Sequence, residues 1–264
     1  MLPRCQWFEF NELPWMPDAL KHAITRSITF DQWFQGCFRG ELPRRFARWL
    51  HRTNASTVVD IGSGSGGPVL TLVHALRKQG IDPPNFRLTD LYPDTHRLAD
   101  ISRRSPAWAN GDTGYVSFSH EPVDALADPI APGYDYFTLI NIAHHFPPKL
   151  LTRILANIVR QGRGVFVIDT YYRSPRFFSL MLASLLPSWV APLFVRPFRL
   201  SHFLFGTLIP IVPFLVMHDG LATILRSYNP HEWHALIDSL PPNDYEWEID
   251  RMPTGTVYIA GRKR

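Results

Sequence analysis

The chain has 264 residues, of which 45% are hydrophobic and 19% charged, which excludes a largely disordered protein and suits one large domain with or without a subdomain. Its net charge of +4 comes from scattered basic residues, so charge alone does not indicate a nucleic-acid partner. The two cysteines form no CxxC pair and no zinc spacing. We therefore predict no metal site, and we expect a reducing compartment, the cytoplasm, with no secretory signal at the N-terminus.

The first 54 residues predict a helical cap. The segment PDALKHAITRSITFDQWF places apolar residues at helical intervals. The segment ELPRRFARWLHR is a second amphipathic helix, with Phe46 and Trp49 on its apolar side. We therefore assign residues 1–54 to an N-terminal helical cap and residues 55–264 to the core.

The core predicts strands that alternate with helices. The first five strands lie in TVVDI, NFRLTDLY, GYVSFSHEPVDA, YDYFTLINIAHHF and RGVFVIDTYY, and the helices between them in GPVLTLVHALRKQG, PDTHRLADISRRS and PKLLTRILANIVRQG. Two last strands, YEWEID and TVYIAGRK, have a short connection that favours an antiparallel pair. The pattern predicts an open, Rossmann-like α/β sheet of about seven strands, mostly parallel with an antiparallel last strand.

An apolar, proline-rich insertion, 171–228, interrupts this alternation after the fifth strand. Its longest apolar run, FLFGTLIPIVPFLVM, contains Pro210 and Pro213 and falls short of the roughly 20 residues that a spanning helix needs. Two interpretations stay open. The insertion is a helical lid over a hydrophobic substrate pocket or a segment in peripheral contact with a membrane, with Arg196 and Arg199 near the headgroups, and the two roles can coexist.

A glycine-rich loop follows the first predicted strand in STVVDIGSGSGG. Gly62, Gly64 and Gly67 satisfy the dinucleotide-binding spacing G-x-G-x-x-G, a weak signal by itself. An acid, Asp60, precedes the first glycine, and an acid there suits a cationic ligand better than a pyrophosphate. Further polar residues stand at predicted strand ends, where ligands bind in such sheets: Asp60, Asp90, Asp124, Asn141, His144 and Asp169.

Two segments carry a family resemblance. VVDIGSGSGG resembles the first motif of class I S-adenosylmethionine-dependent methyltransferases of the small-molecule type, and LTDLYP resembles their acidic second motif. The resemblance implies S-adenosyl-L-methionine as cofactor, bound by Asp60, Gly62, Ser63, Gly64, Gly66, Asp90, Leu91, Asp124 and Asn141. In these roles the glycines approach the methionine part and Asp60 lies near its ammonium or sulfonium. Asp90 holds the ribose hydroxyls, Asp124 lies near the adenine amino group and Asn141 lines the pocket under the methyl.

The segment NIAHHF supplies the catalytic candidates His144 and His145. Adjacent residues on an extended chain point to opposite sides, so we expect at most one of them to face the pocket. The position of His144 resembles that of the basic histidine in small-molecule O-methyltransferases, and it could take a proton from an acceptor hydroxyl. The alternative is a histidine that only packs. The absence of an Asn/Asp-Pro-Pro-aromatic run after Asn141 argues against methylation of nucleic-acid bases.

The sequence therefore predicts methyl transfer, as part of small-molecule biosynthesis, to a hydrophobic small-molecule acceptor. We favour O-methylation and leave C- and N-methylation open, as well as the oligomeric state. Two alternatives stay open: an NAD(P)-dependent oxidoreductase, for which no Tyr-x-x-x-Lys pair follows the fourth strand, and a non-catalytic membrane-peripheral binding protein. No nucleic-acid partner is expected.

Overall fold

The computed structural model describes residues 3–35, 40–64, 66–93, 115–195, 198–252 and 255–264. The predicted helix PDTHRLADISRRS lies outside the described residues. The chain divides into two compact units. The sheet unit comprises Phe38–Thr170 and Pro230–Arg264, and the helical unit comprises Met1–Cys37 and Tyr171–Asn229.

One seven-stranded sheet organises the sheet unit. Its strands are β1 (Thr57–Ile61), β2 (Asn85–Thr89), β3 (Val116–Phe118), β4 (Tyr136–Ile140), β5 (Gly164–Asp169), β6 (Tyr245–Arg251) and β7 (Val257–Lys263), in the order β3-β2-β1-β4-β5-β7-β6. The first five strands pair in parallel, and β7 runs antiparallel to both β5 and β6. The predicted mostly parallel sheet with an antiparallel last strand is confirmed.

The described α-helices flank this sheet or build the helical unit. They are α1 (Asp18–Gln35), α2 (Glu41–Thr53), α3 (Gly67–Lys78), α4 (Pro148–Gln161), α5 (Pro175–Ala183), α6 (Leu185–Phe194), α7 (Leu200–Phe203), α8 (Ile211–Arg226) and α9 (Pro230–Asp238). Strand β5 is buried along its whole length, as expected for a central parallel strand covered on both faces.

Helix α2 packs on the sheet, although the sequence grouped it with the N-terminal cap. The ring of Phe46 meets that of Phe166 edge-on, with centroids 5.1 Å apart, and also stacks on Phe86. The indole nitrogen of Trp49 donates to the carbonyl of Gly261 at 3.1 Å. The large apolar face of α2 is therefore buried against the strands, which places the helix in the sheet unit.

The helical unit is built from α1, α5 to α8 and a π-helical segment, Leu204–Leu208. Ala23 and Ile24 of α1 pack with Val212 and Val216 of α8 to form a buried core. No single helix in the described part of the chain has the length and apolar composition to cross a membrane. Two consecutive pairs reach that length only together, and they bend by 45° (α5 with α6) and 79° (Leu200–Leu208 with α8).

Candidate active site

Among the described residues of the glycine loop between β1 and α3, three lie in the left-handed region that favours glycine. The φ angles are 66° at Gly62, 52° at Gly64 and 73° at Gly66. A Cβ on Gly62 would lie 2.7 Å from Ile142, and a Cβ on Gly66 would lie 2.6 Å from Leu88. Nothing in the described chain lies within 4 Å of a Cβ on Gly64. Packing therefore demands two of the glycines, while the third lies beside open space.

Ser63 anchors this loop to the end of β2. The Ser63 N–H donates to the Thr89 carbonyl at 2.9 Å, and the Thr89 N–H donates to the Ser63 hydroxyl at 3.2 Å. The Ser63 side chain is buried. Its predicted role in cofactor binding stays a prediction, and its observed contacts fix the loop.

Asp60 lies in β1 beneath the loop, with only 1% of its surface exposed. Its carboxyl group accepts hydrogen bonds from the Ser63 and Thr138 hydroxyls, both at 2.7 Å. Burial raises the pKa of Asp60 from 3.8 to about 7, against the opposing effect of the two hydroxyls, and the negative charge of Asp90 raises it further. The carboxyl of Asp60 is therefore buried beneath the loop with its neutral form favoured, and its predicted role near the ligand stays a prediction.

Asp90 stands directly after β2 and is half-buried. Its Oδ2 accepts the Gly64 N–H at 2.8 Å and its Oδ1 accepts the Tyr92 N–H at 2.9 Å. A carboxylate has about four acceptor positions, so each oxygen retains capacity for one more donor. Asp90 therefore holds the glycine loop and can still bind hydroxyl groups.

Two further residues predicted to bind the cofactor, Leu91 and Asp124, are exposed. Leu91 follows Asp90 and is 45% exposed. The segment of Asp124 lies beside Asp90, because the Val123 N–H donates to the Asp90 carbonyl at 2.9 Å. The Asp124 side chain accepts the Leu126 N–H at 2.8 Å. Both residues are thus near the loop, and their cofactor roles stay predictions.

Asn141 follows β4 and has a left-handed backbone with φ 56°. Its Oδ1 accepts the Thr170 N–H at 3.0 Å and the Thr170 hydroxyl at 2.6 Å. Its Nδ2 is buried and donates to no group in the described residues. A fixed amide with an unused buried donor is suited to a ligand that supplies an acceptor.

His144 and His145 lie in a short 3-10 helix, Ala143–His145, that follows β4. The expectation of an extended backbone at this position is wrong. The chain turns after Asn141, and the two imidazole rings lie 4.3 Å apart instead of pointing to opposite sides. The His144 Nδ1 lies 2.9 Å from the Asp169 Oδ1, with both side chains buried, so the ring is held by a carboxylate.

Sequence reasoning missed two partners in this site. Asp169 was noted at a strand end without a role, and it orients His144. Thr138, opposite Asp60 in the β1–β4 pairing, was not singled out. The sequence does contain an indication of this contact, because Thr138 is a polar residue within an otherwise apolar buried strand. The ends of β2, β1 and β4, which are neighbours in the sheet, thus carry Asp90, the glycine loop and Asn141.

Comparisons with known proteins concern the fold that carries these residues. No protein-family model and no curated protein sequence matches the chain. A solved structure of a candidate O-methyltransferase from Nostoc punctiforme superposes on 99% of the chain, with a TM-score of 0.52 and 17% identity. The chain has the class I methyltransferase fold. It spans 64% of the length of that Nostoc protein.

Two further solved structures have lower TM-scores. Human N-acetylserotonin methyltransferase, solved with S-adenosylmethionine, covers 92% of this chain and 56% of its own length, with a TM-score of 0.49 and 15% identity. The match with a mitomycin 7-O-methyltransferase covers 97% of this chain and 70% of that protein, with a TM-score of 0.47 and 15% identity.

Proposed function

We propose that this chain is an S-adenosyl-L-methionine-dependent methyltransferase that acts on a hydrophobic small molecule, with O-methylation favoured. The observation that carries the proposal is the joint geometry of Asp90 and Gly64. One carboxylate binds the N–H of a glycine that lies beside open space, and it keeps acceptor positions on both oxygens. This pairing suits a ligand with a ribose diol lying along the loop.

The residues at the strand ends fit the proposed cofactor. Asp90 would hold the ribose hydroxyls, and Gly64 would let the backbone approach the ligand. The buried Nδ2 of Asn141 would donate to a ligand acceptor, and Asp60 would favour a positively charged ligand. S-adenosylmethionine supplies a methyl group on a sulfonium, which needs alignment and exclusion of water more than further activation.

An NAD(P)-dependent oxidoreductase is less well supported. A pyrophosphate at a glycine loop needs backbone N–H groups and a positive potential. Here the Gly64 N–H already donates to Asp90, and the buried Asp60 adds a second acid beneath the loop. The antiparallel β7, placed between β5 and β6, also departs from the all-parallel order of dinucleotide-binding sheets.

His144 is the proposed general base. Asp169 fixes the imidazole, because a neutral ring must donate to the carboxylate through its Nδ1–H. This tautomer leaves Nε2 as the basic nitrogen, which can take the proton of an acceptor hydroxyl. The ring of His145 lies beside it, with the two ring centroids 4.3 Å apart. We therefore favour His144 over His145, and favour an oxygen acceptor that loses a proton.

The acceptor class is supported by the sequence of the insertion, 171–228, which is rich in apolar residues and proline. The predicted role of that insertion as a lid stays a prediction. Incubation of cell extracts with an isotopically labelled methyl donor and the purified protein, followed by identification of the labelled product, would establish the acceptor and the methylated atom.

Calorimetry tests the cofactor. We expect S-adenosylhomocysteine to bind and NADH not to bind. Asp90→Asn keeps an oxygen for the Gly64 N–H but removes the charge and one acceptor, and we expect it to weaken binding about tenfold or more. Asp82→Asn, at an exposed acid before β2, is the matched control and should bind as the native chain does. Binding of NADH, or equal affinities for the native chain and Asp90→Asn, would contradict the assignment.

Turnover tests the base. His144→Gln should lower kcat by a factor of about 100 or more while the affinity for S-adenosylhomocysteine stays unchanged. Asp169→Asn should also lower kcat and should change its pH profile, because it removes the charge that stabilises a protonated imidazole and the acceptor that fixes its tautomer. An unchanged kcat in His144→Gln would exclude the general-base role without affecting the cofactor assignment.

A further inference from the structure

The helical unit carries large apolar side chains on its outside. On α6, Leu186, Trp189 and Leu193 follow one another at helical spacing and are 63%, 45% and 45% exposed. The buried residues of the same helix are small: Ser188, Ala191 and Pro192. This is the reverse of the usual arrangement in water, where the large apolar residues of a helix face inward.

A second exposed apolar segment lies beside α6. Leu208 ends the π-helical segment, Ile209 follows it, and Ile211 and Phe214 lie at the start of α8; all four are exposed. Two hydrogen bonds join the segments: the Trp189 indole donates to the Thr207 carbonyl at 2.8 Å, and the Thr207 hydroxyl donates to the Trp189 carbonyl at 2.9 Å. We call these seven exposed side chains the apolar face.

The formal charges of this region all have one sign. Between Tyr171 and His218 the sequence contains four arginines and no lysine, aspartate or glutamate. Arg173 is buried and donates to the Ser227 carbonyl. Arg176 is exposed at the start of α5, and Arg199 is half-buried just before α7. The segment that carries the apolar face thus contributes positive charge and no negative charge, which makes it complementary to an anionic surface that has an apolar interior.

We propose that the apolar face docks on an anionic lipid bilayer, with its side chains inserted at the level of the headgroups and upper acyl chains. Leucine, isoleucine, phenylalanine and a tryptophan are residues that enter this layer, and arginines bind its anionic headgroups. Shallow docking also fits the helix lengths. Helix α6 has 10 residues, about 15 Å, against a hydrocarbon core of about 30 Å. This inference does not depend on the proposed methyl transfer.

Vesicle flotation tests the docking with the full chain. We expect it to float with vesicles of phosphatidylcholine that contain about a third phosphatidylserine, and to bind pure phosphatidylcholine vesicles more weakly, with binding to the anionic vesicles reduced by salt. The double variant Leu186→Glu with Leu208→Glu places two charges on the apolar face at strongly exposed positions. It should bind about tenfold or more weakly, because neither side chain can then enter the apolar layer.

The matched control is His231→Glu with Ala235→Glu, which adds two charges at exposed positions of α9 in the sheet unit. It should float as the native chain does, and circular dichroism should show that both variants fold. Failure of the native chain to float, or equal loss in both variants, would overturn the proposal. The proposal would also be overturned if the native chain were a dimer that bound no vesicles while the Leu186→Glu, Leu208→Glu variant was a monomer. A second copy of the chain would then cover the apolar face.

Discussion

Asp60→Asn should change the pH dependence of stability in a direction that the structure fixes. The carboxyl of Asp60 is buried, and burial raises its pKa from 3.8 to about 7 in the folded chain. In the unfolded chain it titrates at an ordinary value. Between these two pH values the folded state therefore holds a proton that the unfolded state has lost. Stability falls as pH rises, because the unfolded state binds fewer protons.

The magnitude follows from the size of the shift. Each pKa unit corresponds to about 1.4 kcal/mol. A shift of about three units therefore makes the pH-dependent contribution of Asp60 to the free energy of unfolding about 4 kcal/mol. That contribution is present below pH 4 and is lost by about pH 7. Asparagine has no titrating proton and can still accept from the Thr138 hydroxyl, so the Asn variant should lack this dependence.

Urea denaturation of the two proteins at several pH values measures the effect. The free energy of unfolding of the native chain minus that of Asp60→Asn should fall by about 4 kcal/mol between pH 4 and pH 7.5. His202 supplies a control with the opposite sign. Burial, with a smaller effect of Arg26, lowers its pKa from 6.5 to about 4, so it destabilises the folded state as pH falls through that range. A His202→Asn variant should therefore lack the part of the pH dependence of stability that lies between about pH 6.5 and pH 4.

A constant difference between the native chain and Asp60→Asn across this pH range would refute the reasoning. It would mean that the carboxylate stays ionised in the fold, held by the hydroxyls of Ser63 and Thr138 more strongly than burial opposes it. Asp90→Asn provides a further check, since removing that negative charge should lower the pKa of Asp60 and shift its titration to lower pH.

Two further predictions concern the loop and the turn after β4. Gly62→Ala should destabilise the fold more than Gly64→Ala in thermal unfolding, because only the first places a methyl group 2.7 Å from Ile142; both pay about 1–2 kcal/mol for the left-handed backbone. Equal losses would contradict the packing argument. Asn141→Asp keeps an acceptor for Thr170 and tolerates the left-handed backbone but removes the buried donor. It should fold and bind S-adenosylhomocysteine about tenfold more weakly, and unchanged binding in calorimetry would show that Nδ2 contacts no ligand.

The strands were predictable because their signals are local. TVVDI and GVFVID are short apolar runs bounded by turn residues, and the short connection before TVYIAGRK allows only an antiparallel neighbour. The position of α2 was not predictable in the same way. Its apolar face, Phe46 and Trp49, shows that the helix packs on something, but amphipathicity does not identify the partner. The rings that it meets, those of Phe86 and Phe166, come from strands far along the chain.

The pairing of His144 with Asp169 depends on strand register, which these sequences do not encode locally. Strands β4 and β5 pair in parallel with Ile140 opposite Ile168, so that Asn141, the residue after β4, lies beside Asp169, the last residue of β5. A half-buried strand reveals its register through alternation of apolar and polar residues, but β5 is buried at every position and has no alternation to read. The left-handed Asn141 then ends the extended backbone, and the 3-10 turn brings His144 to the carboxylate. Two residues 25 positions apart thus meet because one polar residue after β4 favours a turn. A β-branched residue at position 141 should therefore separate the pair even though it leaves both partners in the sequence.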